Sequence, residues 1–147
     1  MKWVTRARPK TDRIACPWLI RRFIDPEAEF LFVPKDDVLE TAAREGATSF
    51  DAEGARYTHR GNRCTFEVLV DDHGLAVKDP AIGELARIVH AADIAGEESS
   101  HPFGAAISAI GDAGLDVEDD DHRLLERGMF VYDALYAWCT RQVAAPV

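Results

Sequence analysis

The sequence predicts a helix-dominated α+β fold, with a small sheet of three or four short strands in the N-terminal half. Three observations lead there. The chain has 147 residues, the size of one ordinary domain with one core, so residues 1–147 are read as a single domain. Its composition, 47% hydrophobic and 29% charged, is too apolar for a disordered tail and too charged for a membrane protein. Strand-like runs crowd in before residue 60, whereas helical spacing dominates after it.

The elements follow in order. Trp3-Val4-Thr5 is β-prone and forms the first strand. From Thr11 to Ile24, Ile14, Trp18, Leu19 and Phe23 recur near helical spacing, with Pro17 as a kink or as the first helical residue. Asp25-Pro26 ends that helix. Glu29 to Val33 is a compact aromatic and β-branched run, the second strand, closed by Pro34. Asp36 and Asp37 start a helix to about Arg44, capped at its end by Gly46. Thr48–Asp51 and Ala55–His59 read as two further short strands around Gly54. Helical spacing returns from Cys64 to about Asp72, stopped by Gly74, and again from Asp79-Pro80 through Ile94. Residues 95–102 form a polar loop. A weaker helix runs from Phe103 to about Asp112, then an acidic run from Asp116 to Asp121 leads into a long apolar helix, about Arg123 to Val143.

Several function classes drop out. No apolar run approaches the ~20 residues of a membrane span, and the N-terminus lacks the apolar core of a secretory signal. Three widely spaced cysteines do not make a disulfide framework and suit a reducing, cytoplasmic compartment. No Gly-rich phosphate loop or hydrolase elbow is present, and Asp116–Asp121 lacks the ligand spacing of a calcium loop. Charge is uneven: residues 1–22 hold seven basic groups against Asp12 alone, while the whole chain is at −9. Because the remainder is so acidic, no direct nucleic-acid binding is expected. The basic groups are mostly arginine, whose planar fork suits oxyanions and carboxylates. Arg6, Arg13, Arg21 and Arg63 are therefore candidate ligands for a small oxyanion such as chromate or sulfate. The structural alternative is that they pair with the acidic excess.

Four residues are candidate metal ligands: His59, Glu67, His90 and Asp93. Glu67 is a carboxylate inside the apolar run Thr65–Val70 and must find a partner. His90 and Asp93, three apart, share one helix face. Such a His/carboxylate set suits Zn, Fe or Mn as a divalent ion with one open position. The structural alternative pairs Glu67 with an arginine and His90 with Asp93. Cys16, beside a helix start and Arg13, and Cys64, after the basic loop, are candidate reactive thiols. Asp133, inside the apolar last helix, needs a partner from Arg13, Arg21 or Arg22, which would tie the last helix to the first.

Certain stretches resemble a known family. Lys2–Arg6, Asp12–Asp25, Glu29–Pro34, Arg63–Glu67, His90–Asp93 and Asp133–Tyr136 are together similar to the C-terminal domain of ChrB-type chromate-resistance proteins. The resemblance spans nearly the whole chain. It implies a bacterial protein of chromate resistance, in a family linked to chromate-responsive regulation and with relatives fused to sulfurtransferase-like domains. It assigns no catalytic residue. Two functional expectations stand: a domain binding a divalent metal beside an arginine-rich oxyanion pocket, or a non-catalytic chromate sensor or protein-interaction module.

Overall fold

The computed structural model describes residues 1–145. Three strands, β1 (Lys2–Arg6), β2 (Glu29–Val33) and β3 (Thr48–Ser49), form a parallel sheet in the order β2-β1-β3. Lys2 to Arg6 register with Glu29 to Val33, and Trp3 and Val4 with Thr48 and Ser49. Parallel strands need crossovers, and the two here are helical: α1 (Asp12–Leu19) between β1 and β2, and α2 (Val38–Glu45) between β2 and β3. The central strand is therefore covered on both faces. Trp3 joins the main core, whereas Val4 turns to a small cluster with Val38, Ala52 and Ala55.

The expected fourth strand does not form. Ala55–His59 contributes only an isolated bridge between Tyr57 and Phe50, because Asp51 and Gly54, both at positive φ, turn the chain away from the sheet. Pro17 sits inside α1, and the helix then widens into a π-helical turn, Ile20–Ile24, in which Asp25 N–H donates to the Ile20 carbonyl at 2.6 Å. Gly46 caps α2 in the left-handed conformation, as its sequence position predicts.

The remaining chain is helical: α3 (Thr65–Asp72), α4 (Leu75–Lys78), α5 (Pro80–Asp93), α6 (Gly104–Val117) and α7 (Asp121–Ala144). α6 runs five residues past its expected end at Asp112, so the start of the acidic run before α7 is helical too. Trp18, Phe50, Phe66, Leu69, Ile82, Leu85, Ile88 and Leu125 fill the core, with α5 at its centre. Two polar ties hold the first and last parts of the chain together. Arg22 grips Asp133 with two hydrogen bonds of 3.0 and 2.9 Å, and Trp18 Nε1 donates to the same carboxylate at 2.7 Å. Arg22 is thus the partner Asp133 requires. Arg8 donates to the Leu115, Glu118 and Asp119 carbonyls, satisfying the end of α6. Among the described residues no helix is long and apolar enough to cross a membrane.

Candidate functional site

The site gathers where the first turn of α1, the loop after β3, the start of α3 and the end of α5 meet. Asp12 opens α1 but serves α3. Its carboxylate accepts the backbone N–H groups of Thr65 (2.9 Å) and Phe66 (3.0 Å), two donors that the start of a helix leaves unpaired. Cys16, one turn along α1, donates its S–H to the same group at 3.3 Å. Asp12 is only 1% exposed, so this anchoring locks two helices at a fully desolvated carboxylate.

Asp51 follows β3 in the left-handed region, at φ 48°, a conformation that Asp tolerates and that turns its side chain inward. It accepts from Thr65 Oγ1 at 2.8 Å and faces Arg13 at 3.5 Å and Arg6 at 3.6 Å. Asp93, the last residue of α5, closes the group. Among the described residues it has no arginine or lysine within ion-pair distance and meets only the His59 ring.

His59 stands at the centre. Its Nε2 lies 3.5 Å from Asp12, 3.4 Å from Asp51 and 3.3 Å from Asp93, each time to a carboxylate oxygen. One N–H hydrogen cannot serve three acceptors well. Bonds of roughly 2.0–2.2 Å set the ligand atoms of a tetrahedral ion roughly 3.3–3.6 Å apart, the spacing found between this nitrogen and each oxygen. Cys64, the residue before α3, adds a fully buried sulfur to the same neighbourhood.

The electrostatics follow from crowding three carboxylates out of water. Burial, and then the charge of Asp51, push Asp12 above the ordinary range. Asp93 is raised to about 7, first by burial and then by Asp12 and Asp51. Asp51 goes the other way: burial opposes its ionisation, but hydrogen bonds from His59 and Thr65 and the charge of Arg13 outweigh it. His59 is raised to about 10 by hydrogen bonds to Asp12 and Asp51. Besides Arg13 and the hydrogen bonds from Thr65 and Cys16, the proton kept on the imidazole offsets the carboxylate charge, a place where a metal cation would serve instead. Burial and the neighbouring carboxylates also push the Cys16 and Cys64 thiols up, which opposes the low thiol pKa expected beside a helix start.

The residues singled out in the sequence divide into groups. His59, Asp93 and Cys64 come together. Glu67 and His90 form a separate pair: His90 Nδ1 donates to Glu67 at 2.6 Å, and Glu67 also takes Arg63 at 3.2 Å and the Cys64 N–H at 3.0 Å. His90 thus faces Glu67 rather than Asp93. Of the four arginines, Arg6 and Arg13 converge on Asp51. Arg21 pairs with Glu126 at 2.8 Å over the Phe30 ring, and Arg63 grips Asp71. Asp12 and Asp51, which the sequence does not single out as candidate ligands, join His59 in the cluster. The available signal was Asp12's position as the one acid of the basic N-terminal stretch, four residues before Cys16. A polar cavity of about 430 Å³ opens against Asp93, walled by Lys10, Thr11, Glu98, Ser108 and Asp112.

Comparison with known proteins agrees with the resemblance. The profile of the family described as "ChrB, C-terminal domain" matches residues 3–139. The chain belongs to the ChrB C-terminal domain family. It is also similar to Protein ChrB of Cupriavidus metallidurans, at 37% identity over 135 residues. The match covers 92% of this chain but only 40% of that protein, so this ChrB-type domain corresponds to less than half the length of its relative. No solved structure matches the chain.

Proposed function

We propose that this chromate-resistance domain is a metal-binding module, cytoplasmic in setting, in which Asp12, Asp51 and His59 hold a divalent cation of the Zn, Fe or Mn class. One observation carries the reading: the His59 nitrogen stands 3.5 Å from an Asp12 oxygen and 3.4 Å from an Asp51 oxygen, the separation of two ligand atoms on one small ion, and the three ligand atoms all lie within 4.8 Å of one another. The second layer supports it. Thr65, Phe66 and Cys16 orient Asp12, and Thr65 and Arg13 orient Asp51, as backing groups orient metal ligands elsewhere. Three free, buried thiols fit a reducing compartment.

A small oxyanion, chromate or sulfate, is the proposed ligand of the loaded site. Each candidate arginine already faces a carboxylate, so the bound cation supplies the attraction for a dianion. The test is elemental analysis of tag-free protein prepared without chelator, with His59→Ala, Asp51→Asn and His90→Ala alongside. Wild type and His90→Ala should carry at least one equivalent of metal, and the other two variants at least one equivalent less. A wild type that stays metal-free after incubation with Zn, Fe(II) and Mn overturns the reading. Chromate binding that persists in metal-free protein favours the non-catalytic oxyanion sensor instead.

A further inference from the structure

We propose a second cation position beside the first, formed by Asp12, Cys64 and Asp93, with Asp12 bridging the two; this rests on the single-cation reading above. Among the described residues the potential ligand atoms fall into two sets, Asp12/Asp51/His59 and Asp12/Cys64/Asp93, each with all its atoms within 4.8 Å of one another. The two sets share Asp12 and do not merge. An ion bonding at about 2.0–2.3 Å cannot reach ligand atoms more than about 4.6 Å apart, so five ligands spread this way exceed the grasp of one ion. They match two ions on either side of a shared carboxylate, an arrangement known for pairs about 3.5–4 Å apart.

Cys64 supplies an independent observation. Its side chain is fully buried, its sulfur accepts the Glu67 N–H as part of the α3 cap, and its thiol hydrogen finds no acceptor among the described residues. This fully buried sulfur lies within 4.8 Å of a carboxylate oxygen of Asp12 and of Asp93, and as a thiolate it would complete a three-ligand set for a cation. Asp12 has the capacity to bridge. Oδ2 takes one strong donor, Thr65 N–H, and Oδ1 takes Phe66 N–H together with the weak Cys16 S–H, which a cation readily displaces. Of the three ligands, Asp93 also lines the cavity beside Thr11.

The donor types differ between the positions, and this selects the metal. Nitrogen and oxygen around His59 accept Zn, Fe or Mn, whereas the thiolate of Cys64 favours Zn or Co over Mn. Protein dialysed against excess Zn and then desalted should carry two Zn per chain, and the same treatment with Mn about one. Cys64→Ser and His59→Ala should each fall to one Zn. Asp93→Asn, which leaves the cap of α3 intact, should also fall to one and guards against a folding defect in Cys64→Ser. Substitution with Co(II) should give a thiolate-to-cobalt charge-transfer band in wild type and His59→Ala, absent in Cys64→Ser. One Zn per wild-type chain without that band overturns the second position and leaves the His59 site standing. One Zn with the band places the only ion at Cys64 and overturns both. No bound Zn overturns both as well.

Discussion

Gly111 and Gly114, three residues apart on α6, should respond in opposite directions to the same substitution. Alanine is the better helix former by about 0.8–1.0 kcal/mol at either position. At Gly114 the new methyl meets Leu124 Cδ1 at 3.5 Å, an ordinary contact, so most of that gain should survive. At Gly111 it falls 2.5 Å from Thr11 Oγ1 and 2.9 Å from the Thr11 nitrogen. Thr11 is short and β-branched, and the second atom is backbone, so neither can swing aside. Overpacking costs about 1–3 kcal/mol, and with neither atom free to move the upper part, about 2–3 kcal/mol, applies; set against the helix gain, this leaves Gly111→Ala less stable than wild type by about 1–2 kcal/mol. At about 2–4 °C per kcal/mol for a domain of this size, Gly114→Ala should melt about 1–4 °C higher and Gly111→Ala about 2–8 °C lower. Urea titrations followed by circular dichroism would give the same order. Because Thr11 precedes Asp12, Gly111→Ala should also weaken cation binding while Gly114→Ala leaves it unchanged. Equal stabilisation by both would show that α6 is not seated on Thr11 and would refute the packing described above.

Three further expectations concern charge, thiols and metal. Hydrogen bonding from Arg22, with a further bond from Trp18, holds Asp133 below the ordinary carboxylate range. A depressed folded-state pKa stabilises the fold fully above the unfolded value, near 3.9, and that stability is lost as pH falls from there through the lower folded value. Asp133→Asn should therefore flatten the acid limb of the stability curve between about pH 5 and 3, and cost less than about 1 kcal/mol at pH 7 because the pair is half exposed. The three cysteines are all buried with their thiols pushed up by burial, so a disulfide reagent should label less than one thiol in native protein and three in urea. Chelating the metal from loaded protein should lower the melting point by about 5–11 °C, the equivalent of about 2.7 kcal/mol at a hundredfold excess over Kd; no shift would separate the cation from folding.

The strands and most helices were legible because local composition and tertiary environment agree. Trp3-Val4-Thr5 and Glu29–Val33 are apolar on both faces of the chain, as buried parallel strands are, and Gly46 and Pro80 sit at a helix end and a helix start. The Ala55–His59 segment shows where that agreement ends. Its residues are β-prone, but strand formation needs a partner edge, and the positive-φ turns at Asp51 and Gly54 carry it past β3 after a single bridge. α6 failed in the other direction. Its helical spacing gives out at about Asp112, and it continues to Val117 because Arg8, more than a hundred residues away, satisfies its last carbonyls.

The candidate site was half legible for a related reason. Spacing shows that Cys64 and Glu67 share one face of α3, and that His90 and Asp93 share one face of α5. It does not show in which direction the two helices cross. They meet with opposite chain directions, so Cys64 at the start of α3 lies beside Asp93 at the end of α5, and Glu67 meets His90 one turn away. His59, Glu67, His90 and Asp93, which read as one ligand set, are thereby split into two levels. The level that keeps Asp93 is completed by residues from elsewhere, Asp12 and Asp51. Each of those resembles an ordinary local acid, one in a helix's first turn and one in a turn after a strand. What brings them to His59 is the parallel sheet: it sets the start of α1 and the end of β3 at the same edge, where the His59 loop passes over both. A site assembled by crossovers has no compact motif, and its chemistry becomes visible only once the register of the strands is known.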